Sequence, residues 1–361
     1  MNYFKKICAL MLLFSALTVD AQKPIEKVKK VIDSCVSKGN FNGTVLLAKN
    51  GKIEYLGYTG LANRHYDIKY SGKSKFHIFS VTKTFTAVLI MQLYEQKKIH
   101  LDSVISVYYP DYKGEAAKKV TIRNLLTYSS GRLNKDIESS EMIHEAYNKT
   151  IWPLDTFIAK YVSEKLTEKP GTVFNYNNGD YILLGKIIEN IYGKPYEQVL
   201  REQILIPLHM KQTDYLHHDD IIRDLDEGYS NRDSSVTDLY MPTNYYIDNL
   251  YSAGAMYSTP EDMLIFDQAI FNHTLLKKET VDVMLHADEK LSSTALGFWV
   301  YPKKIGSVNT LFAERQGAGY GHHSNWVHLI DKGITCIILS NTNTIDLNEM
   351  RFKVLEAYLS K

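Results

Sequence analysis

The sequence predicts an α/β (α+β) fold: an antiparallel central sheet built from N- and C-terminal strands, flanked by helices, with a mostly helical subdomain inserted at about residues 100–255. Three observations carry this. Gly43–Lys49 and Lys52–Thr59 are strand-like runs joined by Asn50-Gly51, a dipeptide suited to a two-residue hairpin turn. Four further strand-like runs, Leu296–Tyr301, Val308–Glu314, Asn325–Ile330 and Ile334–Leu339, come only near the far end. The stretch between is largely helical in pattern, so the two strand groups most simply share one sheet.

Taken in order, residues 1–21 read as a cleavable signal peptide. Lys5 and Lys6 precede an apolar run from Ile7 to Val19, and Val19-Asp20-Ala21 supplies small residues for cleavage after Ala21. That run is too short for a comfortable membrane span, and no later stretch reaches the roughly 18 apolar residues one needs. The mature chain is therefore expected to be periplasmic or secreted, without a stable membrane span. Lys23–Lys38 is predicted as an amphipathic helix with Ile25, Val28, Val31, Ile32 and Cys35 inward. After the hairpin, the apolar spacing of Phe85, Val88, Leu89, Met91 and Leu93 predicts a helix opening at Ser80. Val120–Leu126 reads as a short helix, about 135–170 as irregular and helical, and Tyr181–Tyr192 as a helix capped beyond its end by Gly193. Residues 210–250 read as loop with short helices. Pro260 in a first turn with Glu261 and Asp262 opens another helix, and Asp346–Leu359 closes the chain.

A formal net charge of +1 over 361 residues gives no electrostatic basis for binding nucleic acid or anionic lipid. The 26 tyrosines suit a polar cleft with apolar walls. With Cys8 in the leader, Cys35 and Cys336 remain; they allow one disulfide but fix no framework, and the reading preferred is two buried free thiols.

The chemistry is concentrated in Ser80-Val81-Thr82-Lys83. Residues three apart share a helix face, so a hydroxyl and an amine point the same way. A serine becomes a nucleophile when a base takes its proton, and a lysine can be that base where burial and nearby charge lower its pKa. The plain alternative is an N-cap serine followed by a solvated lysine. Downstream, Pro170-Gly171 and Asn178-Gly179 bracket a loop holding Tyr176-Asn177-Asn178 just before a helix. Its tyrosine can shuttle a proton and its asparagine can bond a substrate amide. A third stretch, Glu314–Gly321, is glycine-rich and reads either as an ordinary hairpin loop or as an edge where N–H groups meet a ligand.

Together with LLTYSSG (Leu125–Gly131), YSAGAMYSTPEDM (Tyr251–Met263) and GITCIILSN (Gly333–Asn341), these boxes resemble, in order from about residue 25 to the end, the class C β-lactamase-like serine hydrolases. That family includes β-lactamases, penicillin-binding DD-peptidases, D-aminopeptidases and esterases. The resemblance implies a β-lactamase/transpeptidase-like fold in one domain over 22–361. It also implies catalytic roles for Ser80 as the acylated nucleophile, Lys83 as its base partner and Tyr176 as general acid/base. Asn178 would contact the substrate, and the N–H groups of Ser80 and Ala318 would form an oxyanion hole. The family's third box, Lys-Thr-Gly or His-x-Gly, falls here on Arg315-Gln316-Gly317, a departure that leaves substrate class open. Arg315 could grip a substrate carboxylate as a fork or turn outward.

His217-His218-Asp219-Asp220 is read as a solvated loop and His322-His323 as strand-opening residues with one side chain facing the site, so no cofactor and no metal are implied. The function expected is an exported serine hydrolase acting through an acyl-enzyme on an amide, lactam or ester, its substrate a small molecule or peptide, peptidoglycan-derived or a β-lactam. The alternative is a penicillin- or peptidoglycan-binding receptor that turns over slowly or not at all.

Overall fold

The computed structural model describes residues 24–132, 144–163, 165–232, 236–242 and 245–360, so the leader and part of the helical stretch expected at 135–170 lie outside the described residues. Helix α1 (24–37) leads into strands β1 (Gly43–Lys49) and β2 (Lys52–Thr59). Asn50 and Gly51 both take positive φ, 50° and 75°, as the tight turn between them requires. Helices α2 (Thr82–Glu95), α3 (Asn178–Tyr192) and α4 (Pro260–Phe271) follow. Strands β3 (Trp299–Ile305), β4 (Val308–Gly319), β5 (His322–Leu329) and β6 (Ile334–Ser340) precede helix α5 (Leu347–Leu359).

These strands form one six-stranded sheet in the order β3-β4-β5-β6-β1-β2, with every neighbouring pair antiparallel. The two groups join where β1 pairs with β6, Gly43 opposite Ser340 and Lys49 opposite Ile334. Side chains alternate across a strand, and here both faces are covered. Val45 and Leu47 pack with Val327, Cys336, Ile338, Val28 and Val354 under α1 and α5. Leu46 and Ala48 pack on the other face in the cluster that takes in α2, α3 and α4. That is why β1 and β6 read as continuous apolar runs and not as alternating ones. Each buried Val, Leu or Ile among them contributes about 1.5–3 kcal/mol.

Two expectations change. The third box is not a loop: β4 runs through it to Gly319, and the turn comes only at Tyr320-Gly321. Cys336 is a buried free thiol, pushed by burial to about 12, whereas Cys35, also free, is only half-buried. Among the described residues no helix is long and apolar enough to cross a membrane.

Candidate active site

Helix α2 is apolar nearly all round and buried from Thr82 to Met91, which makes it the central helix of the molecule. Ser80 lies just before it in a single 3-10 turn, Phe79–Val81. Phe79 holds φ at 44°, a left-handed conformation that costs a non-glycine residue about 1–3 kcal/mol and so needs packing to sustain it. The packing comes from the rings of His77, Tyr245, Tyr320 and His322, and from β4. A Cβ on Gly317 would stand 2.2 Å from Ile78 O and 2.9 Å from Ser80 N, and one on Gly319 would stand 2.5 Å from the Phe79 ring. Glycine at 317 lets the strand lie directly against the backbone of Ser80.

The Ser80 hydroxyl is the meeting point. Lys83 Nζ donates to Ser80 Oγ at 3.0 Å and to the carbonyl of Ala253 at 2.7 Å, with Lys83 itself fully buried. Tyr176 reaches the same Oγ through its phenol at 2.7 Å. Tyr176 ends the loop before α3, whose first turn is capped by Asn177 accepting from Gly179 N at 2.8 Å. Beneath that loop Arg132 and Asp180, both buried, pair at 2.9 Å.

Arg315 faces inward. It is completely buried, donates through Nε to Ser80 O at 2.8 Å and through a terminal nitrogen to Tyr176 OH at 3.3 Å, and lies 4.8 Å over the Trp299 ring. Burial alone would lower its pKa, but the neighbouring phenols of Tyr128, Tyr176 and Tyr181 outweigh that and raise it, so it stays a cation. Tyr128, itself at φ 53°, packs its ring 4.7 Å from Tyr176; burial drives its phenol well above the ordinary range.

A cavity of about 770 Å³ opens beside this group, lined by Ser80, Tyr176, Trp299, Gln316, Gly317 and Ala318 on one side and by Asn231, His323, Asn343 and Asp346 on the other. Asn178, the first residue of α3, and Arg315 are not part of that lining. The single charged side chain among its described residues is Asp346, since burial and the adjacent His322 lower the pKa of His323. Of the two consecutive histidines, His323 lines this cavity and His322 points to the other side of the strand, as the alternation of β5 dictates. The stretch His217-His218-Asp219-Asp220 is a loop exposed at its last three residues, as expected, and its histidines are tied down by side chains: His217 bonds Asp248 at 2.9 Å and Glu197 at 3.1 Å, and His218 bonds Asp248 at 3.2 Å. Ala253, Tyr128 and Trp299 contribute to the site without belonging to any short motif. Only the sequence stretches around the first two hinted at a role.

A family model described as Beta-lactamase matches residues 28–358. PbpX of Bacillus subtilis (strain 168), named as a penicillin-binding protein, is 29% identical over 287 residues, covering 78% of this chain and 69% of its own. Relatives from Staphylococcus aureus are longer, and the match takes in 39% of their length. Among solved structures, the D-amino acid amidase from Ochrobactrum anthropi SV3 is 23% identical with a TM-score of 0.79, covering 92% of this chain and 98% of that one. EstCE1, a hydrolase with promiscuous acyltransferase activity, is 19% identical with a TM-score of 0.76, covering 94% and 99%. With the family match spanning nearly the whole described chain and the sheet-and-helix architecture shared with these structures, the protein belongs to the Beta-lactamase family.

Proposed function

We propose that the protein is an exported serine hydrolase, one catalytic domain over 22–361, that acts through an acyl-enzyme on amides or esters. The observation that carries this is the Ser80 hydroxyl, bonded at once to Lys83 Nζ at 3.0 Å and Tyr176 OH at 2.7 Å at the edge of a cavity. For attack, whichever of these two partners is unprotonated takes the Ser80 proton while Oγ bonds to the substrate carbonyl carbon. Negative charge on the carbonyl oxygen is met by the N–H groups of Ser80 and Ala318. Tyr176 then delivers the proton to the leaving nitrogen or oxygen, and water releases the acyl group by the reverse path. Arg315, donating to the Tyr176 oxygen, stabilises negative charge there as the proton moves. Gly317 keeps the strand close, and Asn178 is left the lesser part of orienting the acyl amide.

A carboxylate on the substrate has no counter-charge in the described cavity lining, because Arg315 is buried and spent on Ser80 and Tyr176. This supports amides and esters over β-lactams and C-terminal peptides. Two fold relatives are, by name, a D-amino acid amidase and a hydrolase with acyltransferase activity. The test is intact mass of the mature protein after a fluorophosphonate and, separately, a penicillin, beside Ser80→Ala. An adduct on wild type alone supports the acyl-enzyme; no adduct with either reagent sinks it and favours the binding-receptor reading.

A further inference from the structure

A second cavity, of about 390 Å³, is lined by His77, Asp226 and His322 together with Tyr245 and Tyr320, and none of these residues lines the cavity at Ser80. Each of the first three offers one ligand atom, and those atoms lie within 4.8 Å of one another. His322 Nε2 is 3.0 Å from Asp226 Oδ1, and the His77 and His322 ring centroids are 4.4 Å apart. The other carboxylate oxygen of Asp226 accepts the Tyr70 hydroxyl at 2.7 Å, which fixes the carboxylate's orientation. A Cβ on Gly228 would stand 2.5 Å from His322 Nδ1, so backbone clamps that ring. Among the described residues Nδ1 has no partner, whereas Asp226 Oδ1 can only accept and so holds the ring's proton on Nε2, the proton that an incoming ion displaces.

We propose that His77, Asp226 and His322 form a binding site for one divalent transition-metal ion of the Zn²⁺ class. Two imidazoles and one carboxylate are the donor set such ions take, whereas Ca²⁺ and Mg²⁺ prefer oxygen throughout. Three protein ligands facing a cavity leave a coordination position for water or a small ligand. In tetrahedral coordination with the usual metal–nitrogen distance, donor atoms stand about 3.3 Å apart, so half-buried His77 moves inward by up to about 1.5 Å to complete the site. Tyr70 plays the part of the outer hydrogen bond that orients a ligating carboxylate. The three ligands come from the segment just before Ser80, from the loop at 226 and from the start of β5. An ion would therefore tie together the elements that hold Phe79 in its left-handed conformation.

The experiment uses the full mature chain without a polyhistidine tag, stripped with a chelator. Titration with Co²⁺, followed by visible absorption, reads coordination directly, and calorimetry with Zn²⁺ reads affinity and stoichiometry. The expected result is one ion per chain with Co²⁺ ligand-field bands. His77→Gln and His322→Gln should each weaken Zn²⁺ binding at least about 10²-fold and Tyr70→Phe about 10-fold, while His217→Gln and exposed His273→Gln leave it unchanged. A wild type with no ligand-field bands overturns the proposal without reference to any variant. So does binding that survives His77→Gln and His322→Gln, or that is lost in His217→Gln. The readout does not involve Ser80 chemistry, so it stands or falls apart from the hydrolase reading.

Discussion

Tyr176 shares the Ser80 hydroxyl with Lys83 and takes a bond from Arg315, so its phenol oxygen bonds two groups of the site. Replacing it with phenylalanine keeps the ring on Tyr128 and removes only that oxygen. The expected outcome is a fall in kcat of about 10²–10⁴-fold on an activated ester, with little change in melting temperature. Unchanged kcat would mean that Lys83 handles both proton transfers alone. Gly317 makes a different kind of demand, because a methyl group there would press on the carbonyl of Ile78 at 2.2 Å, which is backbone and cannot rotate away. Gly317→Ala should therefore cost about 1–3 kcal/mol of stability and displace the Ser80 turn from β4, slowing acylation along with it. Thermal unfolding and fluorophosphonate labelling rate, measured on one preparation, check both halves. A variant with wild-type values in both would show that the strand does not set the position of Ser80.

At the scale of elements, what was legible in the sequence is what local pattern encodes. Asn50-Gly51 announced its turn, α2 and α3 announced themselves by apolar spacing and caps, and Ser80 with Lys83 share one turn of chain. Tyr176 could be found because its loop is punctuated by Pro170-Gly171 and Asn178-Gly179. Of the two readings open for the third box, the loop fails for the same reason: glycine in sequence usually marks a turn, whereas Gly317 and Gly319 let β4 lie on Phe79 and Ser80. Contacts between distant segments left no trace. Ala253 under Lys83, Trp299 under Arg315, and the trio His77, Asp226 and His322 are each brought together only by the fold. The cluster around His217 is likewise non-local, and it makes a pH prediction. Partial burial pulls the pKa of His217 down, but its bonds to Asp248 and Glu197 outweigh this and raise it. A histidine raised in the folded state adds stability in full below its unfolded value of about 6.5, and that stability is lost as pH climbs through the raised value. The link between Glu197, His217 and Asp248 should thus stabilise the protein at about pH 6 more than at about pH 8.5. The gain is small, since His217 is 41% exposed. Comparing melting temperatures of wild type and His217→Gln across that range isolates it, and an identical pH dependence in the two would remove His217 as its source.

Across the whole molecule, the sheet sets a chemical asymmetry at the cavity. With helices on both faces, the sheet leaves the end of β4 and the start of β5 to border the cavity, and they bring Gln316, Ala318 and His323 to it. The segments after β6 add Asn343 and Asp346. Meanwhile the Arg315 guanidinium beside Ser80 is turned into the core, packed over Trp299 and bonded to Ser80 O. The described lining is therefore rich in amides, with a single carboxylate and no permanent cation. A substrate carboxylate entering it gives up water for no ionic partner, at a cost of about 1–3 kcal/mol, which is about 10- to 10²-fold in kcat/KM. Paired substrates isolate this: an aryl ester or amide of a neutral acyl group against its analogue with a carboxylate in the leaving portion, or a penicillin against its methyl ester. The neutral member of each pair should acylate Ser80 faster by that factor, and added salt should narrow the gap only slightly, because the missing partner is a local group and not a long-range field. If the carboxylate-bearing member proves faster, a cation does reach the cavity and Arg315 is the first residue to test, by substitution with methionine.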